Sequence, residues 1–247
     1  MARCGFGRGG IGELMTYDYY EGYGIWRKDW TVTYTIENYA RLVLELTLPE
    51  YAAARTVYYA SIREQVEGYL TSSDAITRHK SDMNEAIAIA YIAVAGIAWH
   101  DGGGDITDAV TVAALLKAMI DKEQGYTDGL FERLRLLRAQ LQQGETSQQQ
   151  MTAIHEGQAR AEDYSKSLDY WYVLVKLMGM GERELMFGGP SGVESCDECT
   201  MLLNTWHKAS WYVAHGYVPP RGENLSCHPG GLCEHTLTDR QGRLVSI

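Results

Sequence analysis

From Pro49 onward, apolar and polar positions alternate with helical spacing. Tyr51, Ala54, Tyr58, Ile62, Val66 and Tyr69 recur every three or four residues, which places them along one face of a helix. The string Thr71-Ser-Ser-Asp74 offers capping side chains for a second helix, and the apolar run from Ala86 to Trp99 fills it. That run falls short of the roughly 18 residues a membrane-spanning helix needs and is diluted by alanines and Gly96. It predicts a buried core helix, broken by Gly102-Gly-Gly104. Asp105 or Thr107 can cap a third helix running through Val110, Ala114 and Leu115 toward Glu123.

Leu130, Leu134, Leu137 and Leu141 follow at spacings of four, three and four, so a helix ending near Gly144 is apolar along one side. Ser147-x-x-Gln150 reads as a capping box for a long helix. On it Met151, Ile154, Ala161, Leu168, Tyr172 and Val175 keep a seven-residue repeat. Two such stripes joined by a few polar residues predict an antiparallel helical hairpin packed on itself, with a partner helix as the alternative. Gly179 and Gly181 end the helical part, and Gly188-Gly-Pro-Ser-Gly192 marks a second break.

Residues 1–36 show no helical period. They are rich in glycine and tyrosine, with Tyr17, Tyr19, Tyr20, Tyr23 and Tyr34 set among short polar residues. An aromatic segment with little core of its own is ordered by packing on its own domain or on a neighbouring subunit. The expected fold is therefore mainly α: an extended Gly/Tyr-rich arm over 1–36, a helical body over 37–190, and a small zinc-stapled α+β or irregular module over 191–247.

With 247 residues, 45% hydrophobic and 22% charged, the chain can bury a sizeable core in one or two domains. Its formal charge of −10 argues against coating nucleic acid through a net positive field. The first ten residues contain no apolar h-region, so the expectation is a chain without a secretory signal in a reducing compartment. That setting favours metal thiolates over disulfides.

Four of the five cysteines lie beyond residue 190, as Cys196-x-x-Cys199 and Cys227-x5-Cys233, and the latter continues into His235. Two short pairs of soft ligands separated by a loop are what a tetrahedral zinc site requires. The candidate ligands are Cys196, Cys199, Cys227, Cys233 and His235. A Cys4 site and a Cys3His site both remain open, with Cys227 lying farthest from the Cys233-x-His235 pair. Two disulfides or unpaired thiols are the other readings, and His228, followed by proline, reads as a surface residue. Four protein ligands leave no position for substrate, so the expected zinc is structural.

Other chemical motifs carry little. Gly5-x-Gly7-x-x-Gly10 has no strand before it and no clear helix after it, so the geometry for binding a dinucleotide is missing. His155-Glu156 lacks the His-x-Glu spacing of the zinc deaminases. Trp99-His100-Asp101 beside three glycines reads as a helix end, and Cys4 has no evident base partner. No catalytic residue is predicted.

The string Cys196-Asp-Glu-Cys199-Thr-Met-Leu-Leu, then Trp206-His-Lys-Ala-Ser-Trp211, then Gly216-Tyr-Val-Pro-Pro220 and Cys233-Glu-His235-Thr-Leu237 resembles the C-terminal region of tailed-phage minor head proteins, the Mu F-like head morphogenesis family. There a Cys-x-x-Cys is followed by a tryptophan segment, a Gly and Pro element and a terminal Cys-x-Cys-x-Leu. His235 stands where the family has its last cysteine, an exchange of one zinc ligand type for another. The helix after Gly144-Glu-Thr-Ser147 also looks like the family's helical middle, so the likeness spans about residues 120 to 240.

The resemblance implies a non-enzymatic virion component of the phage head, present in the host cytoplasm during assembly. Its implied partners are portal protein, major capsid protein and packaged DNA, without a membrane or a small-molecule substrate. Two other classes stand beside it. A zinc-stapled module binding nucleic acid or protein outside a virion would need cations near the cysteines, yet Lys208, Arg221, Arg240 and Arg243 are outnumbered by Glu194, Asp197, Glu198, Glu223, Glu234 and Asp239. An ADP-ribosyltransferase would need a nucleotide pocket with a catalytic glutamate, and no such constellation is evident.

Overall fold

The computed structural model describes residues 17–20, 25–28, 51–104, 109–143, 147–189, 197–219, 224–225 and 235–245. The protein is mainly α, as the sequence predicts. Within the N-terminal region β1 (Tyr17–Tyr20) pairs antiparallel with β2 (Ile25–Lys28); the rest of the expected arm lies outside the described residues. Four long helices follow: α1 (Tyr51–Thr71), α2 (Ile76–Gly102), α3 (Ala109–Gln143) and α4 (Ser147–Met180).

Short connections make successive helices antiparallel. Tyr58 of α1 meets Tyr91 of α2 edge-on, while Gly68 sits against His79. Gln124 of α3 donates to the Asn84 carbonyl of α2. Arg133 of α3 grips Glu156 of α4 with two bonds of 2.7 and 2.9 Å. Tyr51 and Arg55 at the start of α1 both bond Asp169 of α4. The result is an up-down-up-down bundle, and the α3/α4 pair is the intramolecular hairpin the leucine stripes predict.

The expected α1 stripe is buried at every position, from Tyr51 to Tyr69. α2 is buried almost all round, including Ile87, Tyr91, Val94 and Ile97. It is long and apolar enough to cross a bilayer by length and composition, yet 67% of its most apolar window is covered by the rest of the chain. Its alanines let three neighbours approach closely, which suits a central helix.

Three details differ from the sequence reading. Ala75, not Ser or Asp, is the N-cap of α2, without a side-chain cap bond. Ser72 Oγ instead accepts the Asp74 N–H, and the Asp74 carboxylate pairs with Arg78 at 3.1 Å. The helices expected up to Glu123 and from Leu130 are one helix, α3, because Gly125 and Gly129 face open space and nothing there forces a break. Met151 is 56% exposed although it begins the predicted stripe. Gly157 packs against Val66 and Leu70 at the end of α1, so the first turns of α4 run past α1 and the repeat turns inward only from Ala161. The side chains of the expected Ser147-x-x-Gln150 box lie outside the described residues.

Gly103, in the left-handed conformation, closes α2: its N–H bonds the His100 carbonyl and the Gly104 N–H that of Trp99, the paired bonds of a Schellman end. Gly181 turns the chain out of α4 at φ 55°. Beyond it β3 (Glu184–Gly188) is the centre of a sheet ordered β4-β3-β5, antiparallel throughout, with β4 at Trp206–Lys208 and β5 at Thr236–Thr238. Two short helices, α5 (Asp197–Leu202) and α6 (Ala209–Ala214), complete the described part of this region. Leu185, Phe187 and Leu237 point inward with Leu202, Ala209, Tyr212, Val218 and Leu225, and the cluster is continuous with the bundle core.

Candidate functional site

The residues of chemical interest gather around Phe187. Its main chain ties down the segment after α5: Asn204 N–H donates to the Phe187 carbonyl at 2.8 Å, and Phe187 N–H to the Thr205 carbonyl at 3.1 Å. On its other flank Phe187 pairs with Leu237 and Gly188 with Thr236 in β5. Cys199 lies in α5, whose following turn is tied to β3 through Asn204 and Thr205, and His235 stands immediately before β5, which pairs with β3. Each is buried, at 0% and 6% exposure.

His235 is held as a flat ring. Its imidazole stacks on Phe187 with centroids 5.3 Å apart and planes at 22°, and Phe187 is stacked in turn with Tyr212 at 6.3 Å. Gly189 lies against the same imidazole so closely that a Cβ there would stand 2.5 Å from Cδ2 and 2.8 Å from Nε2. A buried thiol and a buried imidazole in an apolar setting are donors suited to zinc. They are two of the five expected ligands; Cys196, Cys227 and Cys233 lie outside the described residues. Among the described residues no group of three or more His, Cys, Asp or Glu side chains is placed to hold a metal.

Three cations of this region are engaged. Lys208 pairs with Glu182 at 2.5 Å, Arg243 with Asp239 at 2.7 Å, and Arg240 with Glu184 while lying over the Trp206 ring. On the outer side His207, Trp211 and His215 form a stack, at 3.7 Å and 4.3 Å between successive centroids. The His215 Nδ1–H donates to the Trp211 carbonyl at 2.8 Å, which fixes that nitrogen as the protonated one in the neutral ring.

The weaker motifs have structural explanations. Asp101 accepts the Tyr172 hydroxyl at 2.7 Å, and the triple glycine is a packing device: a Cβ on Gly104 would strike the Trp99 ring at 2.3 Å. Glu156 beside His155 is taken by Arg133. Two features escaped the sequence reading. Gly188-Gly189 registered only as a break, because closeness to a ring 46 positions away leaves no local trace, and the Phe187 platform sits in a strand too short to display its alternation. Compared with protein-family models, with curated proteins and with solved structures, the chain matches none.

Proposed function

We propose that the chain is a structural minor head protein of a tailed phage, associating with portal and major capsid protein during head assembly or DNA delivery, with its C-terminal module clamped by one zinc ion. The observation that carries this reading is the ordered run Cys196-x-x-Cys199, Trp206 to Trp211, Pro219-Pro220 and Cys233-x-His235 placed after an acidic helical body. The burial of both Cys199 and His235 supports the clamp. Two of Cys196, Cys227 and Cys233 would complete a four-ligand set, and zinc would cross-link the segments around a sheet of strands three to five residues long. The pairing of Lys208, Arg240 and Arg243 with carboxylates weighs against a nucleic-acid surface on this module.

The test is quantitative mass spectrometry of purified phage particles, counting this chain against portal and major capsid protein. A low, fixed ratio to portal in mature particles is expected. Absence from both particles and proheads would remove the reading and leave a helical protein with a metal-clamped end.

A further inference from the structure

We propose that Gly189 is a positioning residue for the metal centre, its missing side chain leaving the space in which the His235 imidazole is presented as a nitrogen ligand. The inference rests on the zinc reading above and assigns His235 to the ligand set, which the spacing of the cysteines leaves open.

Gly189 does not have the left-handed φ that would demand glycine, unlike Gly181 and Gly216. Its main chain therefore tolerates any residue, and the requirement comes from space alone. An alanine methyl would stand 2.5 Å from His235 Cδ2 and 2.8 Å from Nε2, both far inside van der Waals contact. The ring cannot slide away freely, because it is stacked on fully buried Phe187 and its backbone runs directly into β5. The neighbouring Gly188 gives an internal comparison: a Cβ there would meet only Thr236 oxygens at 3.9 Å, an ordinary contact. Two adjacent glycines thus differ in one respect, and that respect is the imidazole.

A ligand imidazole must be held in a defined orientation, and loss of such support typically weakens metal binding about 10- to 100-fold. The experiment uses the full chain as wild type, Gly188→Ala and Gly189→Ala, each titrated with zinc against a chromophoric chelator. Wild type and Gly188→Ala should bind alike, and Gly189→Ala at least about tenfold more weakly. The same exchange in a His235→Cys background provides the second arm. Cysteine has no atom at the position of Cδ2, so Gly189→Ala should cost that background no affinity, and this arm also covers the case in which Gly189→Ala alone folds poorly. Equal affinity of wild type and Gly189→Ala overturns the positioning role while leaving the zinc. An equal loss in both backgrounds also overturns it, as general damage to the module. Wild-type chain that binds no zinc overturns both readings together.

Discussion

The indole Nε1–H of Trp171 donates to the main-chain carbonyl of Tyr91 across 3.0 Å, and the two rings stack with centroids 5.9 Å apart. Trp171 is fully buried and pins α4 to α2 at the middle of the bundle. Replacing it with phenylalanine removes one hydrogen bond and leaves a void. Trp171→Phe is therefore expected to lower stability by about 2 kcal/mol, combining about 1 for the bond and about 1 for the lost packing. Denaturant unfolding followed by circular dichroism measures it, and a change near zero would show that this contact does not tie the two helices.

Glycines in the helices divide by what stands beside them. A Cβ on Gly102 would lie 2.3 Å from the Lys176 carbonyl oxygen and 3.1 Å from the Gly179 Cα, so α2 and α4 meet there backbone to backbone and neither can yield. Gly102→Ala should cost about 1–3 kcal/mol through forced separation. Gly125 and Gly129 lie within α3 with nothing in reach of a Cβ. Gly125→Ala and Gly129→Ala should each add about 0.5–1 kcal/mol by removing the entropic cost of glycine in a helix. Comparing the three unfolding midpoints tests the division; a gain from Gly102→Ala would contradict it.

What could be read from the chain follows the range of the interaction. The α1 stripe was legible because helical periodicity is local and Tyr51 to Tyr69 all turn inward. The burial of α2 was legible from its composition. The continuity of α3 was not, since Gly125 and Gly129 look like punctuation until their surroundings are known. Met151 also misled, because its exposure depends on where α1 ends. At the candidate site, Cys199 and His235 stood out as residue types, whereas Phe187 and Gly189 acquire meaning only through a ring that approaches from β5.

Burial raises the Tyr212 phenol from 10.0 to about 12. Its hydroxyl points toward the Leu185 carbonyl at 3.3 Å. The folded state thus favours the neutral phenol, and the sign of the linkage follows: this contribution is complete below pH 10, the unfolded value, and is lost as pH climbs through about 12. Tyr91, Tyr164 and Tyr172 are raised in the same direction by burial, so alkaline loss of stability should be steep in the wild type. Tyr212→Phe should make it shallower. Unfolding free energy measured across that range decides the matter, and an unchanged slope would mean that the phenolate is accommodated without unfolding.

Metal removal should separate the two parts of the molecule. The middle of the bundle, where Trp171 crosses to α2, is packed by apolar side chains of the four long helices. The sheet has strands of five, three and three residues; its inward side chains join the bundle core, and the clamp would add the ordering that such short strands lack. Under the zinc reading, a strong chelator should abolish amide-exchange protection at Leu185, Phe187 and Leu237 while Tyr91 to Ala98 stay protected. The loss should be local because structural zinc adds its binding free energy to the folding of the segment that carries the ligands. Full protection of the sheet in chelator would show that the inward packing of Phe187, Tyr212 and Leu237 suffices, and the case for a metal clamp would fall with it.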